Sequence, residues 1–143
     1  MVEPEMLQKY SLFGGLLPEQ IKQILPNMVD ESWETGQDII VEGSINGKIY
    51  FILEGTVAVV KNNIILTEFS MGDTFGEMEV IDVMPSVATV KALAPARTIS
   101  ISNKALREIY KADIHSFSLI MMNLARELSR RLRRMDDKVV KQA

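Results

Sequence analysis

Met71-Gly72-Asp73-Thr74-Phe75-Gly76-Glu77-Met78-Glu79-Val80-Ile81-Asp82-Val83-Met84-Pro85-Ser86-Val87-Ala88-Thr89-Val90-Lys91-Ala92 is the stretch of this 143-residue chain on which the fold turns. It opens on the turn residues Met71-Gly72-Asp73 and ends in a run from Ala88 to Ala92 that reads as a strand. Outward from it, similar β-branched and aromatic runs continue: Asp38 to Val41, Lys48 to Leu53, Thr56 to Lys61 and Ile64 to Phe69 before it, and Thr98 to Ile101 after it. Gly36-Gln37-Asp38, Glu42-Gly43-Ser44, Glu54-Gly55, Asn62-Asn63 and Ala94-Pro95 separate them. Asn62-Asn63 predicts a tight hairpin, because asparagine tolerates the positive φ such turns need. The block from Trp33 to Ser102 therefore reads as all β, and six of the chain's eight glycines serve it as turn residues.

On either side the period becomes helical. Leu7, Tyr10, Phe13, Leu16 and Leu17, then Ile21, Ile24 and Leu25, predict two short helices between Glu5 and Asn27, broken at Gly14-Gly15. Pro18 suits the first turn of the second, and Pro26 ends it. After the strands, Lys104 to Lys111 predict a short helix capped by Ser102 or Asn103. A long helix follows from His115 to Val139. Its apolar seam is Met121, Leu124, Leu128, Leu132, Met135 and Val139, opposite Arg126, Arg130, Arg133 and Arg134. So narrow a seam suits a partner helix, with packing inside the chain as the alternative.

The segment from Met71 to Ala92 closely resembles the phosphate-binding cassette of cyclic-nucleotide-binding domains, as found in catabolite activator proteins and the regulatory subunits of cAMP-dependent kinase. The family pattern is Gly-Asp-x-Phe-Gly-Glu, a short helical turn, then Pro-Arg-x-Ala-Thr-Val. Here it is Gly72 to Glu77, then Pro85-Ser86-Val87-Ala88-Thr89-Val90. Gly36-Gln37-Asp38-Ile39-Ile40, Glu42-Gly43, Tyr50-Phe51-Ile52 and Glu54-Gly55-Thr56-Val57 are similar to the family's first strands and turns, and the likeness covers about residues 7–140. It implies a mainly β fold with flanking helices: an eight-stranded β-roll of the double-stranded β-helix or jelly-roll type, with N-terminal helices and a long C-terminal dimer helix. Residues 1–112 would form the nucleotide-binding-type domain and residues 113–143 the dimerisation helix of the same structural unit. Asn123 to Leu132 looks like the dimer helix of the activator branch, where a helix-turn-helix domain follows; with the sequence stopping at Ala143, none is expected here.

The resemblance also implies a ligand, cAMP or cGMP, and neither a metal nor a further cofactor. The family's cassette points backbone N–H groups at the cyclic phosphate. Gly76, Met78 and Glu79 fall where the backbone comes close, Glu77 where a glutamate takes the ribose 2′-hydroxyl, and Thr89 and Val90 on the closing strand, with Phe75, Val87 and Ala88 counted among the ligand-binding residues. Glu77 also suits capping of nearby backbone N–H groups. The phosphate arginine is replaced by Ser86, read either as a loop residue or as a phosphate or water contact. Truncating one partner of a buried charge pair costs about 2–5 kcal/mol, roughly 30-fold to several thousand-fold in affinity. Glu79 adds a second carboxylate nearby. Arg97, the nearest arginine downstream, belongs to the turn at Pro95. The alignment puts Met135 and Asp136 where the activator branch reaches the base, an exposed helix carboxylate being the alternative.

Composition bounds the function. Apolar residues make up 47% and charged ones 24%, a globular balance, and no run is long and apolar enough for a membrane span. The start, Met1-Val2-Glu3-Pro4-Glu5, lacks a secretory signal, so a cytoplasmic location is expected. Without cysteine there is no disulfide, thiolate metal site or thiol nucleophile. From Lys104 onward there are ten Lys/Arg against five Asp/Glu, and before it six against fourteen. The acidic body repels nucleic acid and the basic tail lacks a following recognition helix, so direct DNA binding is not expected. His115 is the single histidine, and no Walker pattern or acid–base pair points to an enzyme. Two functions remain: a ligand sensor binding a cyclic nucleotide or related small anion, weakly, and a ligand-independent interaction module. Both predict a homodimer.

Overall fold

The structure, a computed structural model, describes residues 2–142; Met1 and Ala143, the outermost residues of the two expected domains, lie outside it. In chain order the elements are α1 (Pro4–Leu7), a 3-10 turn at Ser11–Phe13, α2 (Pro18–Ile24), a second 3-10 turn at Leu25–Asn27, then β1 (Val29–Trp33), β2 (Asp38–Ile40), β3 (Lys48–Glu54), β4 (Val57–Lys61), β5 (Ile64–Phe69), β6 (Thr74–Phe75), α3 (Glu77–Asp82), β7 (Thr89–Ala92), β8 (Ala96–Ser102), α4 (Asn103–Ala112) and α5 (Ile114–Gln142). Contacts divide the chain into two compact units, residues 25–108 and residues 2–24 with 109–142. The N-terminal helices thus group with the long helix.

The first unit holds two four-stranded antiparallel sheets, ordered β1-β8-β3-β6 and β2-β7-β4-β5. This is the mainly β roll the cassette implies. Two of its strands are not legible as runs. β1 reads Val-Asp-Glu-Ser-Trp, and it is the pairing with β8, from Val29 opposite Ser100 to Trp33 opposite Ala96, that makes it a strand. β6 is two residues held against β3, Tyr50 opposite Phe75 and Phe51 opposite Thr74. The hairpin between β4 and β5 turns as expected, with Asn62 and Asn63 at φ 53° and 62°. Between the sheets the core gathers Ile40, Tyr50, Ile52, Val57, Phe75, Val90, Ala92 and Ala96 from strands of both. Phe75 stacks on Tyr50 with ring centres 4.9 Å apart, and Trp33 meets Tyr50 edge-on at 6.5 Å. The Trp33 indole N–H donates to Thr98 Oγ1 at 3.0 Å, so the polar end of that ring is satisfied. Burial, helped by the Glu31 charge, raises the Tyr50 phenol to about 12 and keeps it neutral. Ser102 receives the Ala105 N–H at 3.0 Å and so caps α4, one of the two capping residues expected.

In the second unit, the Asp113 carboxylate precedes α5 and accepts from the His115 N–H at 3.1 Å and the Ser116 hydroxyl at 2.6 Å. The Ser116 hydrogen bond, foremost, holds the Asp113 carboxyl below its usual range. The Asn123 amide donates to the carbonyls of Leu12 and Gly14 at 3.0 and 2.9 Å, fastening α5 to the turn at Ser11–Phe13. Leu7, Phe13, Ile120 and Leu124 are buried in this unit.

One exposed pair ties β1 to β8. Asp30 accepts from Arg97 Nε at 3.0 Å and from Nη2, and that hydrogen bond holds the Asp30 carboxyl below the ordinary carboxylate value. A depressed folded-state value means the stabilisation is full above the unfolded value, about 3.9, and is lost as pH falls through the folded one. Asp30→Asn should therefore lower the urea midpoint at neutral pH, and the gap to the natural chain should close as titration proceeds below about pH 4. Urea unfolding across a pH series measures it.

Candidate functional site

The cassette begins where β6 can go no further as a strand. Gly76 follows Phe75 at φ 82°, in the left-handed region, and α3 starts with the next residue. A Cβ at position 76 would lie 2.8 Å from both Asn46 Nδ2 and the Lys48 carbonyl oxygen, so the backbone approaches β3 more closely than a side chain permits. Asn46 holds it there. Its amide donates to the Lys48 carbonyl at 2.9 Å and to the Gly76 carbonyl at 3.0 Å, while its Oδ1 accepts from the Lys48 N–H at 3.1 Å. Sequence reasoning missed Asn46; the available signal was an asparagine two residues before a strand, where such side chains bridge backbone groups.

That turn decides where the expected residues fall. Phe75 is a core residue, its ring stacked on Tyr50, and it contributes by anchoring the turn. Glu77, first in α3, is 2% exposed, a carboxylate drawn into the protein at the head of the cassette. Met78 is exposed and Glu79 half-buried. α3 ends at Val83, which takes a left-handed conformation at φ 58°, costly for a β-branched residue. Beyond it, Ser86 is 6% exposed and structurally engaged: its N–H donates to Ser44 O at 2.9 Å, its carbonyl accepts from Gly43 N at 2.7 Å, and its hydroxyl donates to Ala88 O at 2.8 Å. Val87 is 69% exposed, Ala88 is buried, and Thr89 Oγ1 accepts from the Glu42 N–H at 3.0 Å.

Lys61, at the end of β4, donates from Nζ to the Val87 carbonyl at 2.8 Å, and sequence reasoning did not single it out. Arg97 is committed to Asp30 across β8 and β1. A cleft of about 270 Å³ is lined by Ile39, Ile40, Ile45, Asn46, Lys48 and Tyr50 among others, and Ile40, Asn46 and Lys48 are also the residues that crowd Gly76. The residues from Met71 to Ala92 do not themselves line it.

On α5, Met121 and Leu128 are half-buried, and Leu132, Met135 and Val139 are exposed. Leu124 differs from expectation: at 1% exposure it packs within its own chain, one turn from buried Ile120. Met135 and Asp136 are both exposed. The basic face is partly neutralised at Glu127, which receives Arg130 Nη2 at 3.0 Å and Arg134 Nη2 at 3.1 Å, with Arg131 Nε at 3.4 Å. Burial raises the Glu127 carboxyl, but the Arg130 hydrogen bond and the arginine charges outweigh it and bring it below its usual range.

Two antiparallel sheets closed over one core, with a glycine-led helical turn inserted between strands of different sheets, define a β-roll with a helical insertion. The family profile for the cyclic nucleotide-binding domain matches residues 30–113, and the chain belongs to that family. It is 26% identical over 137 residues to the mouse cGMP-dependent protein kinase 2, covering 96% of this chain and 18% of the kinase. It is 27% identical over 135 residues to the CRP-like cAMP-activated global transcriptional regulator of Mycobacterium tuberculosis, covering 91% of this chain and 58% of the regulator. The chain thus spans less than two thirds of either relative. A cyclic nucleotide-binding domain from Methylobacillus flagellatus superposes with a TM-score of 0.86 at 25% identity, covering 99% of this chain and 82% of that one.

The Gly76 turn is open to a direct test. Gly76→Ala should destabilise by roughly 1–3 kcal/mol, from positive φ and the close carbonyl together. Asn46→Ala, which strips two carbonyls of their donor, should cost about 1 kcal/mol or more. Urea midpoints at unchanged slope would register both.

Proposed function

We propose that this chain is a sensory and regulatory module that acts by binding rather than catalysis, taking cAMP, cGMP or a related small anion weakly at the cassette formed by Phe75 to Glu79 and Ser86 to Thr89. The observation that carries this reading is the Gly76 turn, which presents buried Glu77 at the head of α3 in a chain of the cyclic-nucleotide-binding family. Glu77 suits a ribose hydroxyl, which can donate to a carboxylate. Weakness follows from Ser86. The family's arginine makes a planar, bidentate contact that a serine cannot supply, and here the hydroxyl is already donated to Ala88. That same engagement favours a second reading, a dimeric interaction module that no longer takes a nucleotide.

In either reading the chain works as a homodimer through α5, its exposed strip of Leu132, Met135 and Val139 extending from half-buried Met121 and Leu128. Apolar side chains at this spacing on one helix face suit burial against a second copy. Among the described residues no helix is long and apolar enough to cross a membrane. We place the module in the cytoplasm, without direct contact to DNA.

Calorimetric titration with cAMP and cGMP tests the ligand. Weak, saturable binding is expected, tightened by Ser86→Arg by about 30-fold or more. Tight binding by the natural chain overturns the claim of weakness; no binding by either protein leaves the interaction module. Light scattering tests assembly: a dimer is expected, shifted toward monomer by Leu132→Glu with Met135→Glu, and a strict monomer at high concentration refutes the seam.

A further inference from the structure

We propose that Lys61 supplies the cationic contact to a bound phosphate that Ser86 cannot, an inference that rests on the cassette being a nucleotide site. β4 carries Val57 in the core and Val59 packed against it, so alternate residues of this strand face the inside of the roll. Past the register shift at Val59/Val60, Lys61 ends the strand with its side chain exposed. β4 pairs with β7 as far as Val60 opposite Thr89, and one step further along the chain Lys61 passes the start of the cassette's closing segment. There its ammonium donates to the carbonyl of Val87, the residue next to Ser86, at 2.8 Å. A neighbouring strand thus delivers a positive charge to within one residue of the position that lacks it.

An accounting of the charges singles out this lysine. Between Met71 and Val90 the chain carries Asp73, Glu77, Glu79 and Asp82 and no lysine or arginine, so an anion entering there needs a cation from another element. The other basic residues on strands face carboxylates: Lys48 meets Glu31 at 3.9 Å, Lys91 meets Asp38 at 2.7 Å, and Arg97 holds Asp30. Lys61 differs in having a neutral carbonyl and no carboxylate as its partner, and it forms no ion pair among the described residues. An ammonium on a flexible stem has three donors, so it can keep the Val87 carbonyl and still meet a phosphate oxygen. The place is open to a ligand, because Lys61 and Val87 are both exposed. As a point charge rather than a planar fork, Lys61 yields a weaker and more salt-sensitive contact than an arginine at position 86.

The test is a titration of the natural chain, Lys61→Met and Lys61→Arg with cAMP and cGMP at low and high KCl, with urea unfolding of each protein as a check on folding. Lys61→Met keeps the stem and removes the charge. It should weaken binding about tenfold or more and flatten the salt dependence, while Lys61→Arg retains both affinity and salt dependence. Equal binding by Lys61→Met and the natural chain, or a loss that leaves the salt dependence unchanged, overturns the role of Lys61 and leaves the cassette reading standing. Failure of the natural chain to bind either nucleotide overturns both.

Discussion

A missing Cβ governs this protein. At Gly76 the backbone comes so near the Lys48 carbonyl and the Asn46 amide that a methyl group would collide with both, and at φ 82° few other residues would sit comfortably. Everything distinctive about the site descends from that approach. Phe75 is left on the inner face, stacked on Tyr50, and Glu77 is turned inward as the first residue of a helix. Asn46 converts proximity into attachment, since its side-chain amide serves one carbonyl on each side of the gap.

Electrostatics divides the roll into committed and uncommitted charge. The cross-strand partners Lys48 with Glu31, Lys91 with Asp38 and Arg97 with Asp30 pin the edges of the two sheets. Exposed pairs of this kind contribute little individually, so their weight lies in which cations they remove from use. The cassette is acidic and carries at position 86 a serine that stitches the loop to Ser44, Gly43 and Ala88. The cassette itself has no lysine or arginine between Met71 and Val90, and the ammonium of Lys61 at the end of β4 reaches its Val87 carbonyl.

The second unit follows a different logic. Its apolar residues serve two ends: Leu7, Phe13, Ile120 and Leu124 are used up within the chain, whereas Leu132, Met135 and Val139 remain at the surface further along α5. The changeover lies near Glu127, where three arginines gather on one carboxylate. A helix period assigns residues to a face, but it cannot say how far along the helix the chain's own side chains cover that face; Leu124 shows the difference.

From the sequence alone came the order of most strands, the Asn62-Asn63 hairpin, the Ser102 cap, the long helix and the cassette, because each is a local pattern of period, turn chemistry or motif that short-range sterics enforce. The family of the chain rests on the same ordered motif. Only the tertiary structure decided that β1 and β6 are strands, that Asn46 clasps the cassette, that Ser86 is buried and satisfied, and that Leu124 lies inside. These depend on partners brought near by folding: β1 has no strand pattern until β8 lies beside it, and Lys61 lies 26 residues from the carbonyl it touches. Local chemistry names the groups that can form a site, and long-range packing determines which of them meet.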